Sequence, residues 1–283
     1  MVLLQFLGKL LAGVLVMVAV GGWLFVDREH AAAAFDQPWR RLREVTPHIL
    51  VLLGVLALNR VFRNLGQELS WMLGWNVTGL IYAIEGEFVA LVQVVATPAL
   101  TVFFSFVYLY GYVFLATFPV VAYWLLADTD PMQRTLVAYA LNYAIGLVCY
   151  TLFIAFGPRN LLPNTVQELL YATYPQSQIL TSTVNTNTNA FPSLHTSVSV
   201  TVALLARRTR DVYPGWFKLS TVLAGLVVVS TMYLGIHWAT DVVAGAVLAV
   251  VSVRLADRYH DLSWVWQAFP ERTRVRTAEG RND

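Results

Sequence analysis

The sequence predicts an all-α integral membrane protein of about six or seven spanning helices, and three observations predict it. Of the 283 residues, 57% are hydrophobic and only 13% charged, whereas an average soluble domain is about 25% charged. Mean hydropathy is +0.59. The apolar residues gather in long runs, and a spanning helix needs about 20 of them at about 1.5 Å rise each.

Taken in order, the runs are residues 4–26, 47–61, 99–126, 135–156, 193–206, 218–234 and 238–255. The second and fifth are short for a hydrocarbon core about 30 Å thick. Residues 67–97 mix Trp71, Trp75 and Tyr82 with Glu68, Glu85 and Glu87, the composition of a segment lying in the interface. Glu85 and Glu87 read there first as an ordinary solvated face, and second as carboxylates that close over a site or hold a sugar hydroxyl. The chain therefore divides into N-terminal helices with the interfacial segment (1–97), a membrane core holding the chemistry (98–256) and a polar cytoplasmic tail (257–283). The sequence shows no internal repeat.

A net charge of +2 is too small to point to nucleic acid. Cys149, the single cysteine, lies in an apolar run and reads as a small buried hydrophobe, which leaves no disulfide or redox pair. Basic residues gather at Arg28, Arg40, Arg41 and Arg43, at Arg207, Arg208, Arg210 and Lys218, and over 254–281. With these in the cytoplasm, seven crossings put the amino terminus and the 157–192 loop on the extracytoplasmic face of a cell membrane. The charged residues of 27–30 and the lack of a basic leader argue against a signal peptide cleaved near 31–34. Trp23, Trp71, Trp75, Trp124, Trp238, Trp264 and Trp266 fall where an aromatic belt sits, and His30, His48 and His260 fall away from the outer face.

An ionisable side chain at the membrane centre costs about 2.5–3.5 kcal/mol even on the lenient scale, so each needs a reason. Arg159, His195, His237 and Asp241 all fall at or near helix ends on the predicted outer side. About 42 residues separate the two histidines, enough to cross, turn and return. In Phe191-Pro192-Ser193-Leu194-His195 a polar loop over 181–189 runs into proline and a capping serine. Such a helix start either caps an interfacial histidine or offers its N–H groups to an anion. His237 and Asp241 are i and i+4 on one helical face. They form either a helix-end ion pair or an imidazole whose tautomer the carboxylate fixes.

Two histidines at one site suit phosphoryl transfer without a metal: one attacks phosphorus and becomes a phosphohistidine, and the other protonates the leaving oxygen. Arg159 would clamp the non-bridging oxygens through its planar fork. Two histidines and an aspartate with no cysteine beside them are a poor zinc set, so neither metal nor other cofactor is expected.

At these residues the chain resembles the type 2 phosphatidic acid phosphatase superfamily, over roughly 119–256. The superfamily's Pro-Ser-x-His motif is matched by Pro192-Ser193-Leu194-His195. Its Ser-Arg-x5-His-x3-Asp motif is matched by Ser230-Thr231, His237 and Asp241. The resemblance implies a phosphatidic acid phosphatase-type helical core in which His237 is the nucleophile, Asp241 orients it, and His195 is the general acid. It implies that Arg159 and Ser193 hold the substrate phosphate. Two of the superfamily's cations are absent: its first-motif lysine position is Leu152 and its third-motif arginine position is Thr231. The reduced pattern is similar to the inositol phosphorylceramide synthase-like branch, which moves a phosphorylated head group between lipids.

A phosphomonoester carries about two negative charges near neutrality and a diester one. A site with one arginine is better matched to a diester. The expected substrate is a phospholipid or isoprenoid-type lipid phosphate, with water or a lipid hydroxyl as acceptor. The alternative from another class is a lipid carrier, or a transporter using His237 and Asp241 as a proton relay. Placement of the ionisable residues at helix ends and the lack of a repeat weigh against it.

Overall fold

The computed structural model describes residues 2–27, 38–126, 128–184 and 187–262. Arg28, His30, Trp264, Trp266, the 31–34 alanines and the tail beyond residue 262 lie outside the described residues.

Long apolar runs become long helices, because a backbone in hydrocarbon must satisfy its N–H and C=O groups within the segment. These are α1 (Val2–Phe25) and α2 (Pro38–Leu73). The short α3 (Thr78–Glu85) and α4 (Phe88–Gln93) follow, then α5 (Pro98–Trp124). Next come α6 (Asp130–Leu152), the short α7 (Pro158–Leu161), α8 (Leu169–Thr173) and α9 (Pro175–Val184). The chain ends in α10 (Leu194–Arg208), α11 (Pro214–Tyr233) and α12 (Ala239–Tyr259). Two-residue strands β1 (Trp75–Asn76) and β2 (Phe153–Ile154) pair in parallel. Six of these helices, α1, α2, α5, α6, α11 and α12, are long and apolar enough to cross a membrane. The chain is an all-helical, multi-pass type of membrane fold.

Helix α10 has only 15 residues, about 22 Å of rise. It is enclosed by α6, α11 and α12, and Thr196, Ser197, Ser199 and Thr201 are all fully buried. A helix wrapped by protein need not be apolar, and small hydroxylated residues let its neighbours approach closely. Asn142 of α6 is also fully buried; its amide donates to Thr201 Oγ1 at 3.1 Å, and Ser197 donates to its carbonyl oxygen.

Three expected boundaries shift. The second run was expected to begin at residue 47, yet its helix begins at Pro38, takes in the charged 40–44 stretch, and keeps Pro47 in its interior. Arg41 is buried, and its Nη2 donates to Trp124 O at 2.6 Å and to Leu126 O, carbonyls that the end of α5 leaves open. Residues 67–73 of the expected interfacial segment belong to α2, and only the rest breaks into β1, α3 and α4. The expected polar loop over 181–189 is helical as far as Val184.

At one end of the bundle Phe25, Phe114 and Phe118 surround the fully buried Trp216, with Phe118 and Trp216 ring centroids 4.6 Å apart. Asp257 there accepts from Arg134 Nη1 at 3.0 Å and from both terminal nitrogens of Arg208. A cavity of about 460 Å³ lies beside Arg134 and Arg208, far from either site histidine. Its arginines already hold Asp130 and Asp257 as partners. His195 and His237 stand at the opposite end, whereas His260 pairs with Asp130 here.

Candidate active site

The site is built where α10 begins and where α11 turns into α12. Helix α11 ends at Tyr233, and Gly235 takes φ +72°, a left-handed conformation that an L side chain resists. The Thr231 carbonyl accepts both the Ile236 N–H at 2.9 Å and the His237 N–H at 3.1 Å, which draws His237 back over the end of α11. Asp241 Oδ2 accepts the Trp238 N–H at 2.9 Å and stands 3.4 Å from His237 Nδ1. His237 is 3% exposed and Asp241 fully buried. Asp241 Oδ1 has no partner among the described residues. The geometry gives His237 Nδ1 a carboxylate to donate to and leaves Nε2 without a hydrogen bond among the described residues.

Arg159 arrives through backbone packing. Its N–H donates to the Gly235 carbonyl at 3.1 Å, on the turn that carries His237. Gly157 lies against the Ile236 carbonyl so closely that a Cβ there would collide with it. The guanidinium lies over the Tyr171 ring at 4.3 Å, and Nη2 donates to Tyr171 Oη at 2.7 Å. Nη1 is buried with no partner among the described residues.

Ser193 caps α10: its Oγ accepts the Thr196 N–H at 3.3 Å. Its own N–H donates to the Asp241 carbonyl at 3.0 Å, which ties the start of α10 to the start of α12. Tyr150 Oη donates to Pro192 O at 3.0 Å and holds the same turn from α6. The His195 N–H makes no backbone bond among the described residues. The two imidazole rings are 6.1 Å apart, centroid to centroid. The structure thus brings together all five residues singled out from the sequence, Arg159, Ser193, His195, His237 and Asp241.

Four further residues join this cluster, three that the sequence did not single out and Glu85, for which a solvated face was the favoured reading. A π-helical turn, Val107–Gly111, interrupts α5 beside His195; such turns recur at functional sites. Tyr108 and Tyr112 lie against the His195 ring with centroids 4.6 and 4.5 Å away. Their i, i+4 spacing was the available signal, hidden in a run of aromatics. Gln93 is buried and donates to Gln167 O at 3.0 Å and to Tyr233 O at 2.9 Å, pinning α4 to the end of α11. Glu85, expected on a solvated face, instead accepts the Ala239 N–H at 2.9 Å and the Thr240 N–H, the first two of α12. Those donors lack helical partners, so a carboxylate reaching them gains two charge-assisted bonds. Glu87 is exposed, as expected.

The cation positions missing from the motifs are accounted for. Thr231 is fully buried and its Oγ1 donates back to Val228 O at 2.7 Å. Leu152 is 47% exposed at the end of α6. Among the described residues, no group of three or more His, Cys, Asp or Glu side chains is placed to hold a metal ion.

No solved structure matches the chain. An uncharacterized protein of Methanocaldococcus jannaschii is 26% identical over 160 residues, which are 56% of this chain and 62% of the relative. The chain thus spans somewhat less than two thirds of that relative's length. A family model described as the PAP2 superfamily matches residues 82–255. The match runs from the middle of α3 into the last turns of α12 and takes in both histidines, so the chain belongs to the PAP2 superfamily.

Proposed function

We propose that the chain is a lipid-phosphate enzyme that transfers a phosphoryl or phospho-head group, to water or to a lipid hydroxyl, through a phosphohistidine on His237, on the extracytoplasmic face of the cell membrane. Membership of the PAP2 superfamily suggests a function of the lipid phosphatase type. The observation that carries the finer reading is the set of groups around one turn. His237 is backed by Asp241, His195 lies 6.1 Å away, and Arg159 is docked on the same backbone.

In this reading Arg159 Nη1 and the first turn of α10, capped by Ser193, hold the non-bridging oxygens. His237 Nε2 attacks phosphorus as the bond to the leaving oxygen breaks, and the His195 imidazolium gives that oxygen its proton. A water or lipid hydroxyl then gives its proton to His195 and attacks phosphorus, and the P–N bond to His237 breaks. The step uses no metal. The absence of cations at Leu152 and Thr231 supports a phosphodiester substrate, as in the inositol phosphorylceramide synthase-like branch. A phospholipid or isoprenoid-type lipid phosphate fits the lipid-facing helices.

The test uses detergent-purified protein in excess chelator, given matched lipid monoester and diester with a hydroxyl acceptor, products followed by mass spectrometry. A head group appearing on the acceptor, and lost in His237→Ala, is the expected result. Preferred release of free phosphate from the monoester overturns the diester reading. No product from either, together with flux driven by a pH gradient, favours a carrier or proton-coupled transporter.

A further inference from the structure

Two helix starts converge on this site, and they are not equivalent. At α10 the cap is a neutral serine, and the His195 N–H makes no backbone bond among the described residues. At α12 the first two N–H groups, Ala239 and Thr240, are both taken by the Glu85 carboxylate, and the Trp238 N–H is taken by Asp241. A helix start is a ready anion seat. In α12 that seat is filled by the protein's own charge, brought from 154 residues away in sequence.

The surrounding charge is equally lopsided. Between residues 64 and 206 the only lysines or arginines are Arg134 and Arg159, and Arg134 is committed to Asp130 and Asp257 at the far end. Glu85 and Asp241 accept the N–H groups of three consecutive residues, 238–240, so two carboxylates stand side by side at the start of α12, next to the turn on which the Arg159 backbone docks. In a partly buried setting each further negative charge on a ligand meets that excess directly.

We propose that Glu85 is a specificity-determining residue: by occupying the start of α12 with a fixed negative charge, it restricts the site to ligands whose phosphorus carries one negative charge. The proposal rests on the reading of the cluster as a phosphate site, and it assigns the preference to a group outside the superfamily motifs. A second substrate charge finds the start of α12 already occupied, and it is repelled by Glu85. A phosphodiester, with a single charge, needs only Arg159 and α10.

The test compares binding of dimethyl phosphate, a monoanion, with monomethyl phosphate, largely a dianion at pH 7.5, to the full-length detergent-purified protein. Wild type is expected to prefer dimethyl phosphate. Glu85→Gln keeps an acceptor oxygen at the start of α12 and removes the charge. It is expected to shift the ratio toward monomethyl phosphate by about tenfold, or about 1.4 kcal/mol. The lipid turnover ratio, diester over monoester, should move the same way. An unchanged ratio in Glu85→Gln overturns the proposal, as does binding of neither ligand. Should the variant fail to fold, wild type alone decides. Lowering the pH to 5.5 protonates most monomethyl phosphate to the monoanion, and its affinity relative to dimethyl phosphate must then rise. No rise overturns the proposal. Because binding is read without turnover, a ratio that shifts in a protein that turns over no lipid overturns the catalytic reading alone.

Discussion

One oxygen of Asp241 serves two partners, His237 Nδ1 at 3.4 Å and the Trp238 N–H at 2.9 Å. The same carboxylate therefore closes the first turn of α12 and sets the face that His237 presents to His195. A distance of 3.4 Å is long for a charge-assisted hydrogen bond, and such contacts in catalytic sites often tighten only when substrate is bound.

This shared oxygen predicts how an amide would behave. Asp241→Asn retains a carbonyl oxygen for the Trp238 N–H, so the turn survives and the protein elutes as a folded species. The amide does not stabilise the imidazolium form or hold its tautomer as a carboxylate does. Head-group transfer is expected to fall by about 10²–10⁴-fold. Wild-type rates in folded Asp241→Asn would remove Asp241 from the mechanism.

Arg159 offers a second, separable outcome. Its Nη2 is spent on Tyr171 and its Nη1 is buried without a partner, which leaves one well-defined edge for a phosphate. Lysine keeps the charge but has neither the planar fork nor the face that lies on the Tyr171 ring. Arg159→Lys is expected to lower kcat/KM by about 10–100-fold, chiefly through KM, and Arg159→Ala by more. Equal kinetics for lysine and arginine would show that charge alone matters there.

The tyrosines flanking His195 should act through their rings. Both centroids lie within 4.6 Å of the imidazole, and an aromatic face attracts a neighbouring cation by about 0.5–2 kcal/mol. Tyr108→Phe keeps that face and should retain activity to within about threefold. Tyr108→Ala removes it, and with it about tenfold or more of kcat, as His195 loses both its orientation and the ring that favours its protonated form. The measurement is a pH–rate profile for both variants, in which only the alanine shifts the limb assigned to His195.

What the sequence made legible was whatever depends on local spacing. His237 and Asp241 are four apart, and although His237 lies in the turn before α12 and not on its face, the carboxylate still reaches its ring; His195 lies one out-and-back crossing away. Those separations put both histidines at one end of the bundle, and the structure has their rings 6.1 Å apart. Arg159 was legible as a helix-end cation, but its seat on the Gly235 carbonyl was not, since that depends on two loops meeting. For Glu85 the favoured solvated-face reading fails and the second, closing over the site, is nearer the structure: its partners, Ala239 and Thr240, belong to another helix, and nothing around Glu85 in sequence marks the contact. Tyr108 and Tyr112 were hidden among Phe103, Phe104, Phe106 and Tyr110, where aromatic content is ordinary for a membrane helix. The start of α2 moved to Pro38 because Arg41 spends its charge on the carbonyls ending α5, a contact that hydropathy cannot register.

The last prediction concerns the spacing between α10, which carries His195, and α12, which follows His237. A Cβ on Gly245 would collide with the Ser193 carbonyl and lie 3.1 Å from Thr196 Cβ. Both neighbours belong to the first turn of α10, next to His195, and a backbone oxygen cannot swing aside as a side chain can. Gly245→Ala must therefore lever the start of α10 away from α12, at a cost of about 1–3 kcal/mol. The same movement stretches the bond from Ser193 N–H to the Asp241 carbonyl and separates His195 from His237. Gly225 supplies the control, since a Cβ there meets nothing within 4 Å. Gly225→Ala should leave activity intact and stabilise the helix by up to about 1 kcal/mol. Thermal unfolding in detergent, read beside head-group transfer, separates the two effects. Gly245→Ala should lose far more activity than its lowered melting temperature explains. If it keeps full activity at temperatures where it is folded, the close approach of α10 and α12 is a matter of packing and not of chemistry.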